Sequence, residues 1–184
     1  MRAWVAIGAL VVAAIVAGVV LAAGGGTSNP GVTSSPAVNA THAPHLPQNV
    51  YALPDVTYDD FTRLLRELRG TPVVVYVWGS WCGPCREDGP RVAAAARRYG
   101  RRVQFIGLDV KDFDKGPARG FIHQMGWTFP NLFDPTPTAD VETGLGFLAQ
   151  PVTLFYSRAG SIVDQVSGPA SKSDLAQGIG KIVA

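Results

Sequence analysis

The sequence predicts an α/β protein whose sheet contains parallel strands and ends in an antiparallel hairpin. Apolar runs rich in β-branched residues alternate with amphipathic segments from residue 50 to residue 184, a pattern typical of strands that alternate with helices. Near the C-terminus, two strand-like runs are separated only by the turn sequence Ser157-Arg158-Ala159-Gly160. The predicted order is helix, strand, helix, strand, helix, strand, strand, helix.

The first two elements have the clearest signals. Thr57 and Asp60 have the spacing of a capping box, and the apolar residues that follow recur at helical spacing until Gly70. This predicts a helix over residues 57–68. Residues 72–78 then form an unbroken β-branched and aromatic run, which predicts a strand buried on both faces.

The remaining elements follow from the same criteria. Residues 84–99 have a helical pattern, and we expect Pro90 to kink that helix without ending it. The other predicted elements are a strand at 103–110, a short helix at 116–125, hairpin strands at 152–156 and 161–166, and a closing helix at 171–183.

The N-terminal quarter differs from the rest of the chain. Every residue from 3 to 23 is apolar or glycine, with Arg2 in front, and about 20 such residues suffice for a helix to cross a bilayer. Because a secretory signal peptide has a shorter apolar region of ~7–15 residues, we expect an uncleaved transmembrane anchor, with cleavage and secretion as the alternative. Because positively charged flanks of membrane spans stay in the cytoplasm, Arg2 predicts a cytoplasmic N-terminus and places residues 24–184 outside the cytoplasm.

Residues 24–49 are rich in Gly, Ser, Thr and Pro, lack charged side chains, and have too few large apolar groups to fold. They predict a flexible linker. The expected organisation is therefore an anchor at 1–23, a linker at 24–49 and one folded domain at 50–184.

The charge of the chain argues against a nucleic-acid partner. The formal net charge is only +2, and four arginines cluster around Gly100, where a helix is predicted to end. Cations near a helix C-terminus are explained by the helix dipole.

The only two cysteines, Cys82 and Cys85, lie where a predicted strand gives way to a helix. The amide donors at a helix N-terminus favour negative charge on Cys82, and the thiolate is the form that attacks a disulfide. Cys85 lies one turn later on the same face, within reach for a disulfide. We therefore predict Cys82 as nucleophile and Cys85 as resolving thiol, with Gly83 and Pro84 leaving the surface open between them.

Other uses of the two cysteines are weaker. A disulfide that closes a four-residue loop restrains the unfolded chain little, and a zinc site needs two further ligands of suitable spacing. We predict no metal and no cofactor. The alternatives that stay open are an oxidase that inserts disulfides into secreted proteins and a copper-binding assembly module with His123 as a further ligand.

Three motifs in order give a resemblance to a known family. The segment 74–85 resembles the active-site strand and turn of the thioredoxin superfamily, Pro90 matches its helix proline, and Gln150-Pro151-Val152-Thr153 matches its cis-proline loop. The resemblance implies a thioredoxin-like fold with a mixed central sheet. It also implies that Gln150 and Pro151, together with Trp81, Gly83 and Pro84, contact the substrate.

Within that superfamily the chain is most similar to the membrane-anchored, extracytoplasmic branch that includes TlpA, ResA and CcmG. Residues 129–134 follow that branch, and residues 116–148 resemble its insertion before the cis-proline. Its Cys-Arg-x-Glu-x-Pro pattern places Asp88 at the acidic position. Since Tyr76 stands where thioredoxin has a buried aspartate, Asp88, with Glu87 as the alternative, is the candidate proton acceptor through a water.

The resemblance also implies a function and partners. Relatives of this branch reduce disulfides in exported proteins, notably apocytochrome c before haem attachment. Their electrons come from a membrane protein of the CcdA or DsbD type. We therefore expect a single-pass membrane protein with an extracytoplasmic thiol-disulfide oxidoreductase domain.

Overall fold

The computed structural model describes residues 46–136 and 149–184. The predicted anchor and nearly all of the predicted linker lie outside the described residues, as do residues 137–148 of the predicted insertion. Within the described ranges, every helix is too short or too polar to cross a bilayer.

The described helices match the predicted ones to within a few residues. They are α1 (Tyr58–Glu67), α2 (Gly83–Tyr99), α3 (Lys115–Met125) and α4 (Lys172–Val183). The predicted capping box is confirmed: Thr57 and Asp60 cap α1 reciprocally, and Ser171 and Asp174 form a second box on α4. Helix α2 continues through Pro90.

Five described strands form one mixed sheet in the order β3-β2-β1-β4-β5. They are β1 (Val73–Trp78), β2 (Gln104–Val110), β3 (Asn131–Asp134), β4 (Val152–Tyr156) and β5 (Ile162–Ser167). Strands β1, β2 and β3 are parallel. Strand β4 is antiparallel to both β1 and β5, so the predicted C-terminal hairpin is confirmed.

Strand β3 is absent from the predicted order. It has four residues and pairs along its length with β2, and its Phe133 also forms an isolated parallel bridge with Asp55. Pro130 precedes it directly, and only Leu132 and Phe133 of its residues are apolar. A run this short has no periodicity to detect, and tertiary pairing rather than local propensity makes it a strand.

The central strand separates two apolar clusters. Val74, Tyr76 and Trp78 pack against residues of α2, α3 and α4 on one face. Val73, Val75 and Val77 pack against α1 on the other face. Every residue of β1 is consequently buried, which explains why its sequence does not alternate.

Helix α4 approaches the sheet closely at Gly178. A Cβ atom built on Gly178 would lie 2.5–2.6 Å from ring carbons of Phe155, which is itself fully buried. We expect Gly178→Ala to lower the free energy of unfolding by about 1–3 kcal/mol in urea titrations, because the overpacked ring must shift. The matched control is Gly180→Ala on the same helix.

A Cβ on Gly180 meets no atom within 4 Å, and the residue is exposed. Gly180→Ala should therefore raise the free energy of unfolding by up to about 1 kcal/mol through helix propensity. Equal effects of the two alanines would show that the contact with Phe155 does not limit the packing of α4.

Candidate active site

The two cysteines lie at the start of α2 and are joined by a disulfide. Cys82 is the N-cap of the helix, as predicted, and its Sγ accepts a hydrogen bond from the Cys85 backbone N–H at 3.1 Å. Both residues are buried, with Cys85 fully enclosed. In the reduced state, the same N–H and the helix dipole would stabilise a thiolate on Cys82.

The loop before Cys82 is held by Asp112 and by a main-chain carbonyl. The backbone N–H and the hydroxyl of Ser80 both donate to the Asp112 carboxylate, at 2.8 and 2.6 Å. The Trp81 indole N–H donates to the Val110 carbonyl at 3.3 Å. These contacts attach the loop to the end of β2 and fix the direction in which Cys82 faces.

Arg86 ties the same loop to α3. Its guanidinium donates to the Ser80 carbonyl and to the Gln124 side chain, both at 2.8 Å, and lies 5.0 Å from the centre of the Phe121 ring. The planar, multidentate guanidinium suits this combination of two acceptors and one ring face. Arg86 therefore joins the active-site loop, α2 and α3.

Asp88 lies one helical turn after Cys85 and is fully buried. Its Oδ1 accepts the Tyr76 hydroxyl at 2.6 Å, and its Oδ2 accepts the Ala170 backbone N–H at 2.9 Å. Burial raises the pKa of Asp88, while these two hydrogen bonds and the positive charge of Arg91 oppose the rise. A buried acid is thus placed beside Cys85 on α2, in direct contact with Tyr76 of β1.

A second buried carboxyl, Asp109, lies near the carboxyl end of β2. No N–H or O–H group of the described residues donates to either of its oxygens. Burial raises its pKa to about 10, and the neighbouring carboxyls of Asp112 and Asp134 add to the rise. Asp109 therefore keeps its proton at neutral pH.

The predicted substrate-contacting residues lie along one edge of the sheet. The Gln150–Pro151 bond is cis, as the resemblance implies. Because Val152 pairs with Val77 of β1, Pro151 lies at the end of β1 from which the dithiol loop emerges. Trp81, Gly83 and Pro84 are exposed around the disulfide, whereas Gln150 is buried. Their contacts with substrate remain predictions.

His123 does not complete a metal site with the cysteines. Within residues 46–136 and 149–184, no group of three His, Cys, Asp or Glu side chains is placed to hold a metal ion. His123 is an exposed residue in the last turn of α3. The geometry therefore gives no support to the copper-binding alternative.

The sequence predicted Asp88 as a site residue but not its contacts with Tyr76 and Ala170, and it did not predict Asp112. The partners of Tyr76, Ser80 and Ala170 are 12, 32 and 82 positions away along the chain. No local periodicity reports such pairs. A signal for Asp112 was available, because Asp109 and Asp112 lie near the carboxyl end of the predicted strand at 103–110, beside the predicted end of the strand that leads to the cysteines.

Comparisons with known proteins agree with this geometry. The model of the AhpC/TSA family matches residues 49–165. The thiol-disulfide oxidoreductase ResA of Bacillus thuringiensis is 30% identical over 112 residues, which cover 60% of this chain and 63% of that protein. The thiol:disulfide interchange protein DsbE of Allochromatium vinosum is 30% identical over 139 residues, covering 75% of this chain and 74% of that protein.

A solved structure shows the same fold. A secreted Mycobacterium tuberculosis disulfide oxidoreductase homologous to E. coli DsbE superposes with a TM-score of 0.56 at 24% identity, covering 63% of this chain and 85% of that one. The match supports the mixed sheet flanked by helices. With the family match and the DsbE relative, it follows that the chain belongs to the AhpC/TSA family of thioredoxin-like proteins.

Proposed function

We propose that this protein is a thiol-disulfide oxidoreductase that exchanges the Cys82–Cys85 disulfide with cysteine pairs of other proteins. The observation that carries the proposal is the disulfide itself, between two cysteines one turn apart, the first of which caps a helix. The names of the ResA and DsbE relatives support the same chemistry.

In the reducing direction the exchange has two steps. The Cys82 thiolate attacks one sulfur of the client disulfide, forming a mixed disulfide and releasing the other client sulfur as a thiolate. Cys85 then loses its proton and attacks the Cys82 sulfur. The Cys82–Cys85 disulfide forms, the second client sulfur leaves, and two electrons have passed to the client.

Asp88 is the proton acceptor for Cys85 in this proposal. The two residues are three positions apart on one helix, so their side chains share a face. An acceptor works best when its pKa approaches the working pH, and burial raises the pKa of Asp88. Enclosure of both side chains keeps bulk water from competing for the proton.

The clients are proposed from the resemblance to the extracytoplasmic branch. They are exported proteins with paired cysteines, apocytochrome c among them, and a membrane protein of the CcdA or DsbD type re-reduces Cys82 and Cys85. Trp81, Gly83, Pro84 and the Gln150–Pro151 loop form the contact surface for the client. The domain then works outside the cytoplasm, anchored by residues 1–23.

A redox titration tests both the activity and its direction. The ratio of dithiol to disulfide is measured against glutathione buffers, and turnover is measured on an oxidised peptide carrying Cys-x-x-Cys-His, the haem-attachment spacing. We expect the Cys82–Cys85 redox couple to be more reducing than glutathione. We also expect faster reduction of this peptide than of a disulfide peptide whose cysteines have a different spacing. A potential near −120 mV, that of a strong oxidant, would instead assign disulfide insertion.

The control for the titration is the double variant Cys82→Ser/Cys85→Ser, which should exchange with neither peptide. If the native protein exchanges with no disulfide under any buffer, the proposed activity is wrong.

A further inference from the structure

The contact between Tyr76 and Asp88 joins the central strand to the active-site helix. The hydroxyl lies 2.6 Å from Oδ1, and both side chains are fully buried. Burial and the adjacent carboxyl raise the pKa of Tyr76 far above neutrality, so its phenol keeps its proton and is able to donate it in a hydrogen bond.

The two oxygens of Asp88 have different partners. A main-chain N–H only donates, so Oδ2 is an acceptor of the Ala170 amide whatever the charge of Asp88. A hydroxyl both donates and accepts, so Oδ1 is the oxygen whose partner tolerates either protonation state. The proton that arrives from Cys85 is therefore expected on the oxygen that faces Tyr76.

The ring of Tyr76 is fixed by its surroundings. It packs edge-on against Trp127, with the ring centres 5.5 Å apart. The Trp127 indole N–H donates at 3.0 Å to the carbonyl of Gly89, the residue next to Asp88. The same aromatic residue therefore holds both the tyrosine and the helix backbone that carries Asp88.

The charged surroundings of Asp88 are sparse. Among the described residues, Tyr76 from β1 and Arg91 from α2 act on it, Cys85 from α2 joins them as a titratable group in the reduced protein, and the segment before α4 binds it through the Ala170 amide. Arg91 donates to the Ala170 carbonyl at 2.8 Å. With so few partners, the loss of one hydrogen bond should have a measurable effect on Asp88.

We infer that Tyr76 is a positioning residue for the resolving step: its hydroxyl holds Oδ1 of Asp88 in place and keeps the carboxylate ionised to receive the Cys85 proton. This inference rests on the proposed function. It assigns the tyrosine that stands in place of a buried acid a role in the same proton transfer.

The test isolates the second step of the exchange. Reduced protein is mixed with excess 5,5′-dithiobis(2-nitrobenzoate), a disulfide: Cys82 attacks it, forms a mixed disulfide with 2-nitro-5-thiobenzoate and releases one coloured thiolate. The second phase of coloured-thiolate release, whose rate does not depend on the reagent concentration, is followed from pH 5 to pH 9. Cys85 gives its proton to Asp88 and attacks the Cys82 sulfur, the internal disulfide forms, and the coloured thiolate leaves. The reagent disulfide is the two-electron oxidant and leaves as two thiolates, one in each phase, so the second phase needs no further oxidant or reductant.

We expect Tyr76→Phe to move the rising limb of the rate profile to higher pH by about one unit, and so to slow the release about tenfold on that limb. The sign follows because the lost donor stabilised the ionised carboxylate, so Asp88 keeps its proton to higher pH and, on the rising limb, a smaller fraction of the protein has a carboxylate free to accept the Cys85 proton. The matched control is Tyr156→Phe, a buried tyrosine of β4 in the cluster on the opposite face of the sheet. Its profile should coincide with that of the parent.

A double-variant cycle separates positioning from a merely structural effect. If Tyr76 acts through Asp88, then Tyr76→Phe should change the rate less than twofold in an Asp88→Asn background. A profile of Tyr76→Phe that coincides with the parent, or an undiminished effect in the Asp88→Asn background, overturns the inference. Failure of the parent itself to release the coloured thiolate contradicts the proposed function instead. Should the double variant not fold, the pH shift of Tyr76→Phe alone decides.

Discussion

Cys82→Ser should lower the rate of disulfide exchange by at least about 10³-fold, because only a thiolate attacks a disulfide and a serine hydroxyl stays protonated at neutral pH. In the structure, Cys82 is the cysteine that caps α2 and accepts the Cys85 N–H, so the groups that favour a thiolate act on its sulfur. The rate is measured as reduction of an oxidised model peptide under single-turnover conditions.

Cys85→Ser is the matched variant and should behave differently. It retains the attacking thiol and lacks the resolving one, so the mixed disulfide with the peptide should accumulate and be visible by mass spectrometry. Far-UV circular dichroism confirms that both variants keep their helices. Equal accumulation of the mixed disulfide in Cys82→Ser would contradict the assigned roles, and greater accumulation there would reverse them.

Asp109→Asn is expected to change how stability depends on pH. The native pKa of Asp109 is raised to about 10, whereas an unfolded aspartate titrates near 3.9. Between those pH values the native state holds one proton more than the unfolded state. The contribution of Asp109 to the free energy of unfolding therefore falls as pH rises. The full slope for one proton is about 1.4 kcal/mol per pH unit.

The asparagine stays neutral in both states and removes this slope. The free energy of unfolding is measured by urea titration at pH 5, 6, 7 and 8. The difference between Asp109→Asn and the parent should shift in favour of the variant at each step, by a total of up to about 4 kcal/mol. The control Asp59→Asn changes an exposed carboxylate of α1 and should differ from the parent by no more than about 0.5 kcal/mol throughout. Parallel stability curves for Asp109→Asn and the parent would show that Asp109 titrates normally.

Local patterns predicted the elements that carry the dithiol. The apolar run ending at Trp78 predicted a strand covered on both faces. The helical pattern of residues 84–99 predicted the helix that starts at Gly83. The capping box at Thr57 was also predicted correctly. In each case the determining residues lie within a few positions of one another.

The electrostatics of the site could not be predicted in the same way. The resemblance implies that Tyr76 stands where thioredoxin has a buried acid, yet the hydrogen bond from Tyr76 to Asp88 depends on how α2 packs on the sheet. The protonation of Asp109 likewise depends first on its burial and then on Asp112 and Asp134, which lie in a loop and in the unpredicted strand β3. Both effects arise from packing between distant segments rather than from propensity.

The amide of Ala170, which binds Asp88 from the segment before α4, has a consequence for engineering. The environment of the resolving cysteine is assembled from β1, α2 and a corner 82 positions further along the chain. Grafting Cys-Gly-Pro-Cys, or the whole of α2, onto another scaffold would transfer the thiols without these partners. We therefore expect the redox behaviour of this motif to depend on the assembled domain, and a scaffold that receives only the motif should not acquire it.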